Sequence, residues 1–99
     1  SDLICKAFEK EKLIRKHLKH SLIFEIRGKG LMLAVITLSA NITNEVILKA
    51  QEKGLILFWL LFEPRAIRIT PPLTISHKDI IIGCKIIINL LDDIEKNQD

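Results

Sequence analysis

A pair of adjacent prolines, Pro71 and Pro72, constrains the last third of this chain more than any other feature. Each proline lacks a backbone N–H and fixes φ, so neither the interior of a sheet nor that of a helix can run through them. The β-branched segment 66–70 before them is typical of a short strand. Ser76 and Asp79 have the spacing of a capping box and predict that a helix begins just after the prolines.

Arg68 lies near the end of that predicted strand, just before the stiff loop. A side chain in such a place is held in a fixed orientation, so its guanidinium is a candidate contact for a ligand. The alternative, an ordinary arginine on the surface of a strand, stays open on these residues alone.

Hydrophobic periodicity and turn residues predict the order α-β-β-α-β-β-α. This order indicates an α+β domain: a mainly antiparallel sheet of three to four strands with helices packed on one face. Because segment 31–38 is almost wholly apolar, we expect it to be a central strand that is covered on both faces. Three helices are predicted, over 2–19, from a cap at Asn41 or Thr43 to 53, and over 77–94. Four strands are predicted over 21–26, 31–38, 55–61 and 66–70. Turns are predicted over 27–30 and 62–64.

Composition narrows the class of protein. The chain has 99 residues, 48% hydrophobic and 27% charged, which predicts one small globular domain. A net charge of +3 is too small for a strongly basic nucleic-acid binder.

The first helix is rich in lysine, but interspersed acids favour a solvated face over a membrane or nucleic-acid surface. The mean hydropathy of +0.27 predicts apolar surface covered by a partner, part of it at Ile82, Ile86 and Ile88.

No catalytic or metal-binding cluster is predicted. Cys5 and Cys84 are isolated and lie on apolar helix stripes, which predicts buried, reduced thiols and a cytoplasmic protein. His17 and His20 are predicted on or beside the exposed side of the first helix, and His77 in the first turn of the last. With no group of His, Cys and Asp at ligand spacing, no metal site is expected.

The segment from Arg27 to Gly30 contains two glycines, which permit the positive φ that a short hairpin connection needs. A phosphate-binding loop is the alternative for a glycine-rich segment. That alternative fails here, because a lysine-serine or lysine-threonine pair and a following helix are both missing.

Two segments resemble motifs of the class III aminotransferases, which are fold-type I enzymes that use pyridoxal phosphate. Segment 26–33, Ile-Arg-Gly-Lys-Gly-Leu-Met-Leu, resembles the V-R-G-x-G-L-M hairpin of that family. Segment 67–75, Ile-Arg-Ile-Thr-Pro-Pro-Leu-Thr-Ile, resembles its R-x-x-P-P-L segment, and segment 51–56 resembles the helix, glycine and strand between them. Order and spacing match the C-terminal small domain of the family, whose members include acetylornithine, ornithine and 4-aminobutyrate aminotransferases.

The resemblance implies that residues 1–99 are the small domain of a cytoplasmic, dimeric enzyme that moves an amino group between an amino donor and a 2-oxo acid. It gives Arg68 the role of binding the substrate carboxylate, whose two oxygens a guanidinium can meet at once. In the family, the Schiff-base lysine and the phosphate-binding residues lie upstream in the large domain, and nothing here matches them. We therefore expect a fragment that contains no catalytic residue, binds no pyridoxal phosphate and catalyses nothing alone.

The expected partners are amino-acid and 2-oxo-acid substrates, the large domain and a second subunit, with no nucleic acid and no membrane. An alternative is a free-standing α+β interaction module that pairs through its last helix or an open sheet edge. The chain starts at Ser1 rather than at a methionine, which favours the fragment. The reading frame upstream of Ser1 would distinguish the two.

Overall fold

The computed structural model describes residues 2–97. It contains α1 (Asp2–His17), β1 (Ile23–Lys29), β2 (Met32–Thr37), α2 (Ala40–Glu52), β3 (Phe58–Leu60), β4 (Glu63–Ile69) and α3 (His77–Lys96). The strands form one antiparallel sheet in the order β1-β2-β4-β3. The predicted order of elements and the α+β class are confirmed.

The core lies between one face of the sheet and the helices. Leu33 and Val35 of β2 are at most 1% exposed, and Ile67 of β4, directly opposite Val35, is fully buried. Burying apolar surface of this kind contributes about 25 cal/mol per Å². The helices supply most of the remaining core side chains: Ile14 of α1, Ile42, Val46, Ile47 and Ala50 of α2, and Ile80, Cys84, Ile87, Leu90, Leu91 and Ile94 of α3. Leu18, Leu22 and Leu57, in the connecting segments, complete the core.

The opposite face of the sheet is only partly covered. β2 is central, as predicted, with β1 on one side and β4 on the other. Ile36 is fully buried on the second face, but Met32 is 76% exposed and Ala34 is partly exposed. The prediction that β2 is covered on both faces is therefore wrong for Met32 and Ala34, and part of the sheet remains open.

The helix caps follow the predicted chemistry at one end and depart from it at another. Ser76 caps α3, and its Oγ accepts the N–H of Asp79 at 3.0 Å, as predicted. Ser39 caps α2 and accepts the N–H of Ile42 at 3.2 Å. The prediction of Asn41 or Thr43 as that cap is wrong, because the chain already turns into the helix at Ser39.

The hairpin between β1 and β2 is tighter than predicted. β1 continues to Lys29, which pairs with Met32, so only Gly30 and Leu31 form the turn. Gly30 has a φ of 61°, as the first position of a tight hairpin turn requires. The predicted turn over 27–30 is thus correct at its last residue and wrong at the others.

The other two strands also have different ends from those predicted. β3 is shorter than 55–61 because the N–H of Leu55 bonds the carbonyl of Ala50 at the end of α2, at 2.9 Å. β4 begins at Glu63 instead of 66 and takes in Pro64 near its start, where a missing N–H is tolerated.

The first helix is buried only along its C-terminal half. Ile14 and the following Leu18 are buried, whereas Leu3 is 60% exposed. Cys5 is exposed and Cys84 is buried. The buried-thiol prediction is therefore wrong for Cys5, because a helical stripe does not tell where along the helix its packing partner begins. Burial raises the pKa of the Cys84 thiol to about 11.

The last helix exposes less apolar surface than expected. Ile82 is 46% exposed, while Ile86 and Ile88 pack against the core and are partly buried.

Over residues 2–97, no helix combines the length and the apolar character needed to cross a lipid bilayer.

Candidate functional site

One row of residues crosses the open face of the sheet. Arg27 pairs with Ala34, Ala34 pairs with Arg68, and Arg68 pairs with Phe58, so the four side chains lie on the same face. We call Arg27, Ala34, Arg68 and Phe58 the arginine row. Neighbouring strands lie about 4.8 Å apart, so the Cα atoms of the two arginines are about 10 Å apart. The methyl group of Ala34 leaves room for a small ligand between them.

Arg68 differs from the other arginines in its partners. Arg15, Arg27 and Arg65 each pair with a glutamate. Arg68 is exposed and forms no ion pair with any carboxylate in residues 2–97. Its guanidinium carbon lies 5.2 Å from the centre of the Phe58 ring. The predicted site residue is thus presented with its positive charge unneutralised.

The neighbouring arginines are held by acids. A guanidinium nitrogen of Arg27 lies 2.5 Å from Glu25 and another lies 3.9 Å from Glu63. Arg65 also contacts Glu63, at 3.3 Å. Its side-chain hydrogen bond is the main reason that the pKa of Glu63 is lowered, so this carboxylate stays ionised. Of the four arginines, Arg68 alone therefore has no glutamate partner among residues 2–97.

A buried pair of threonines fixes β4 behind the site. The Thr43 hydroxyl donates to the carbonyl of Arg65 at 2.6 Å and lies 2.8 Å from the Thr37 hydroxyl. Both threonines are fully buried. Since unpaired buried hydroxyls and carbonyls are costly, these bonds hold β4 against β2 and α2 close to Arg68.

The edge strand β3 is anchored from the helix side. Trp59 Nε1 donates to Asn44 Oδ1 of α2 at 2.7 Å. Successive residues of a strand point to opposite faces, so this bond keeps Phe58 on the open face next to Arg68.

The proline loop after Arg68 is tied to the first helix. Lys10 Nζ donates to the carbonyl of Leu73, and the N–H of Ile75 bonds the carbonyl of Pro72 at 3.0 Å. The loop also borders an apolar cavity of about 290 Å³ between α3 and the β3 edge. Side chains around the cavity include Leu55, Leu57, Phe58, Ile69, Ile80 and Cys84.

The glycine-rich hairpin is held by two residues of α1 that sequence reasoning missed. Glu11 accepts the N–H of Gly30 at 2.6 Å, and Arg15 donates to the carbonyls of Ile26 and Gly28 at 2.8 and 2.9 Å. We call these contacts the hairpin clamp. The bond from Gly30, followed by the one from Arg15, lowers the pKa of Glu11. The spacing of Glu11 and Arg15 suits a helical ion pair, but only the fold shows their backbone partners.

Gly28 explains why the hairpin needs a glycine inside a strand. Its φ is 110°, and a Cβ built there would lie 2.2 Å from the carbonyl oxygen of Met32. The glycines of this segment thus serve the backbone of the hairpin. They are not arranged to cradle a phosphate.

A second polar cluster joins the turn before β1 to α3, and it brings His20 together with acids that are distant in the sequence. His20, Asp92 and Glu95 have ligand atoms within 4.8 Å of one another, and the His20 side chain is only 7% exposed. The Leu22 N–H donates to His20 Nδ1 at 3.0 Å, so Nε2 carries the proton and donates to Asp92 at 2.8 Å. A metal at Nε2 would move that proton to Nδ1, against the Leu22 N–H. The arrangement favours a structural link.

Comparison with known proteins gives a consistent result. The model of the family described as aminotransferase class-III matches residues 2–91. An acetylornithine aminotransferase of Caldanaerobacter subterraneus subsp. tengcongensis is 34% identical over 76 residues, which are 77% of this chain. The chain spans about a fifth of that relative, 19% of its length.

Solved structures share the fold. The crystal structure of an acetylornithine aminotransferase from Elizabethkingia anophelis superposes with a TM-score of 0.79 at 28% identity, covering 93% of this chain and 24% of that one. A lysine aminotransferase from M. tuberculosis gives a TM-score of 0.81 at 23% identity, covering 94% and 22%. Because the identity to the lysine aminotransferase is only 23%, that similarity shows a shared fold and nothing more.

Proposed function

This chain belongs to the class III aminotransferase family, and we propose that it is the small domain of a pyridoxal-phosphate-dependent aminotransferase. The reaction would transfer an amino group between an amino donor and a 2-oxo acid. The chain corresponds to about a quarter or less of its relatives. Activity, substrates and cofactor are therefore proposed for the complete protein, in which this domain provides one wall of the substrate site.

Arg68 is the residue that we assign to the substrate carboxylate. The observation that carries this assignment is its exposed guanidinium, which has no carboxylate partner among residues 2–97 although its neighbours Arg27 and Arg65 do. A guanidinium can donate two parallel hydrogen bonds to a carboxylate. Such a pair fixes the orientation of an amino acid, which lowers the entropic cost of reaching the reactive geometry.

The described residues do not fit pyridoxal phosphate by themselves. The cofactor needs a lysine amine and a phosphate site, but over residues 2–97 every lysine except Lys10 is exposed, and Lys10 is bonded to Leu73. No lysine borders the apolar cavity. In our proposal the cofactor is held outside this chain, and the domain alone is inactive.

The remaining partners are part of the same proposal. Leu61 and Phe62, at the β3–β4 turn, are 85% and 92% exposed. Large apolar side chains this open suit contact with a large domain or a second subunit. Cys5 and Cys84 are free thiols, which agrees with a reducing, cytoplasmic location.

Substitution of Arg68 in the complete protein tests the assignment. We expect Arg68→Ala to lower kcat/KM for the amino-acid half-reaction roughly 100-fold, because two hydrogen bonds to a charged group are lost. Arg68→Lys keeps the charge but loses the planar fork, so it should recover only part of the activity. Cofactor absorbance should be the same in all variants.

Arg65→Ala is the matched control, since Arg65 lies on the same strand but is already paired with Glu63. It should leave the half-reaction nearly unchanged. Unaltered half-reaction kinetics in Arg68→Ala, with the cofactor bound, would refute the assignment.

A further inference from the structure

We propose that Phe58 is a positioning residue for Arg68: its ring holds the guanidinium so that the N–H edge stays open to the substrate carboxylate. This inference rests on the proposed function, because it concerns the same carboxylate.

The geometry places the two side chains together. Phe58 and Arg68 are directly paired across β3 and β4, so their side chains leave the sheet on the same face. The guanidinium carbon lies 5.2 Å from the ring centre, within the distance of about 6 Å over which an aromatic face attracts a cation. Phe58 is 45% exposed, so its ring is partly packed and partly open.

An aromatic partner leaves the arginine able to bind an anion. A glutamate, such as those beside Arg27 and Arg65, occupies the N–H donors and neutralises the charge. The Phe58 ring attracts the guanidinium but carries no charge, so it does not neutralise Arg68 or occupy its donors as a carboxylate does. The contact therefore restricts a long, flexible side chain while its donors remain available to a carboxylate.

The ring is itself held in place. The bond of Trp59 to Asn44, at 2.7 Å, fixes the helix-facing side of β3, and the alternation of the strand directs Phe58 to the opposite face. Phe58 also borders the apolar cavity beside the proline loop. Because β3 is held from its helix-facing side, a small change at Phe58 is expected to alter where Arg68 points while β3 stays in place.

The test compares variants of the complete, cofactor-loaded protein. Half-reaction rates are measured with whichever of L-alanine, L-glutamate, L-lysine and N2-acetyl-L-ornithine reacts fastest. We expect Phe58→Leu to raise the donor concentration for half-saturation about two- to fivefold, the size of an exposed cation–aromatic contact. The limiting rate should change less than this, and Phe58→Tyr should restore the wild-type value.

Phe24→Leu is the matched control, because Phe24 lies 5.9 Å from Arg65, an arginine outside the row. It should leave half-saturation unchanged. If Phe58→Leu behaves like wild type while Arg68→Ala fails, the inference is wrong and the proposed function stands. The inference is also wrong if Phe24→Leu raises half-saturation as much as Phe58→Leu does. It is wrong as well if Phe58→Leu lowers the melting temperature but leaves half-saturation unchanged. If Arg68→Ala is fully active, or no donor reacts with wild type, the proposed function fails and the inference with it.

Discussion

The hairpin segment 26–33 and the segment 67–75 each bring an arginine to the same row of the sheet, but the protein uses them in opposite ways. In the hairpin, Glu11 and Arg15 bond the peptide groups, and Arg27 is paired with glutamates. In the second segment, Arg68 rests on an aromatic ring and pairs with no acid within residues 2–97.

This difference is the criterion by which we propose a binding role for the second segment and a structural role for the first. Both segments resemble recurring family patterns, so a pattern match alone does not distinguish them. What distinguishes them is whether their polar groups are already satisfied inside the fold. Groups with internal partners hold the hairpin, whereas a charged group left without one is available for a ligand.

The largest effect that would sharpen the comparison is expected at Gly28. We predict that Gly28→Ala lowers the free energy of unfolding by about 3 kcal/mol or more, because a Cβ would meet the Met32 carbonyl at 2.2 Å and φ is 110°. Gly54→Ala is the control: φ is 84°, but nothing lies within 4 Å of the added Cβ. It should cost only about 1–2 kcal/mol. Equal losses in urea denaturation would contradict the close approach in the hairpin.

A smaller effect is expected at the hairpin clamp, and it should depend on pH. We predict that Glu11→Gln costs about 1 kcal/mol at neutral pH, because a charge-assisted bond to Gly30 is weakened. The folded-state pKa of Glu11 is lowered by this bond and by Arg15, so its stabilisation is present above pH 4.5 and is lost as pH falls through the lowered value.

Melting temperatures between about pH 7 and pH 3 measure this dependence. The difference between wild type and Glu11→Gln should narrow in acid. Glu9→Gln, at an exposed position of the same helix, should show no such difference at any pH. A gap between wild type and Glu11→Gln that persists at the acid end would show that the carboxylate is not the source of the clamp's stability.

The smallest effect is expected at Arg27, and measuring it tests whether the two arginines really differ in function. Its ion pairs are about half exposed, so we predict that Arg27→Ala costs only about 0.5 kcal/mol of stability. Because its charge is already balanced, the half-reaction of the complete protein should change less than about twofold. A loss of activity comparable with that of Arg68→Ala would mean that both arginines bind the substrate.

The sequence was sufficient where the signal is local. The strand before Pro71, the Ser76 cap and the turn at Gly30 follow from nearby residues, and the structure confirms them. The α2 cap was not decided in this way, since Ser39, Asn41 and Thr43 are all capable caps within a few positions.

Contacts between distant segments could not be predicted. The hairpin clamp, the His20 link to Asp92 and the exposure of Cys5 all depend on how α1 is placed on the fold. The Phe58 contact with Arg68 requires the register of a strand only three residues long. The resemblance implies the role that we propose for Arg68. The geometry supports this proposal because glutamates pair with Arg27 and Arg65 but not with Arg68.

The pairing of β2 with β4 also has a consequence for how the protein is made. β1 and β2 are joined by a two-residue turn and can pair as soon as both are synthesised. Leu33 of β2 pairs with Ile69 of β4, which follows α2 and β3 along the chain, so this pairing forms only after those elements are synthesised. Closing a long loop costs more entropy than closing a short one, so non-local pairings form slowly. We therefore expect Arg27 and Ala34 to pair early during synthesis. The arginine row is completed later, when β3 and β4 add Phe58 and Arg68 to the sheet.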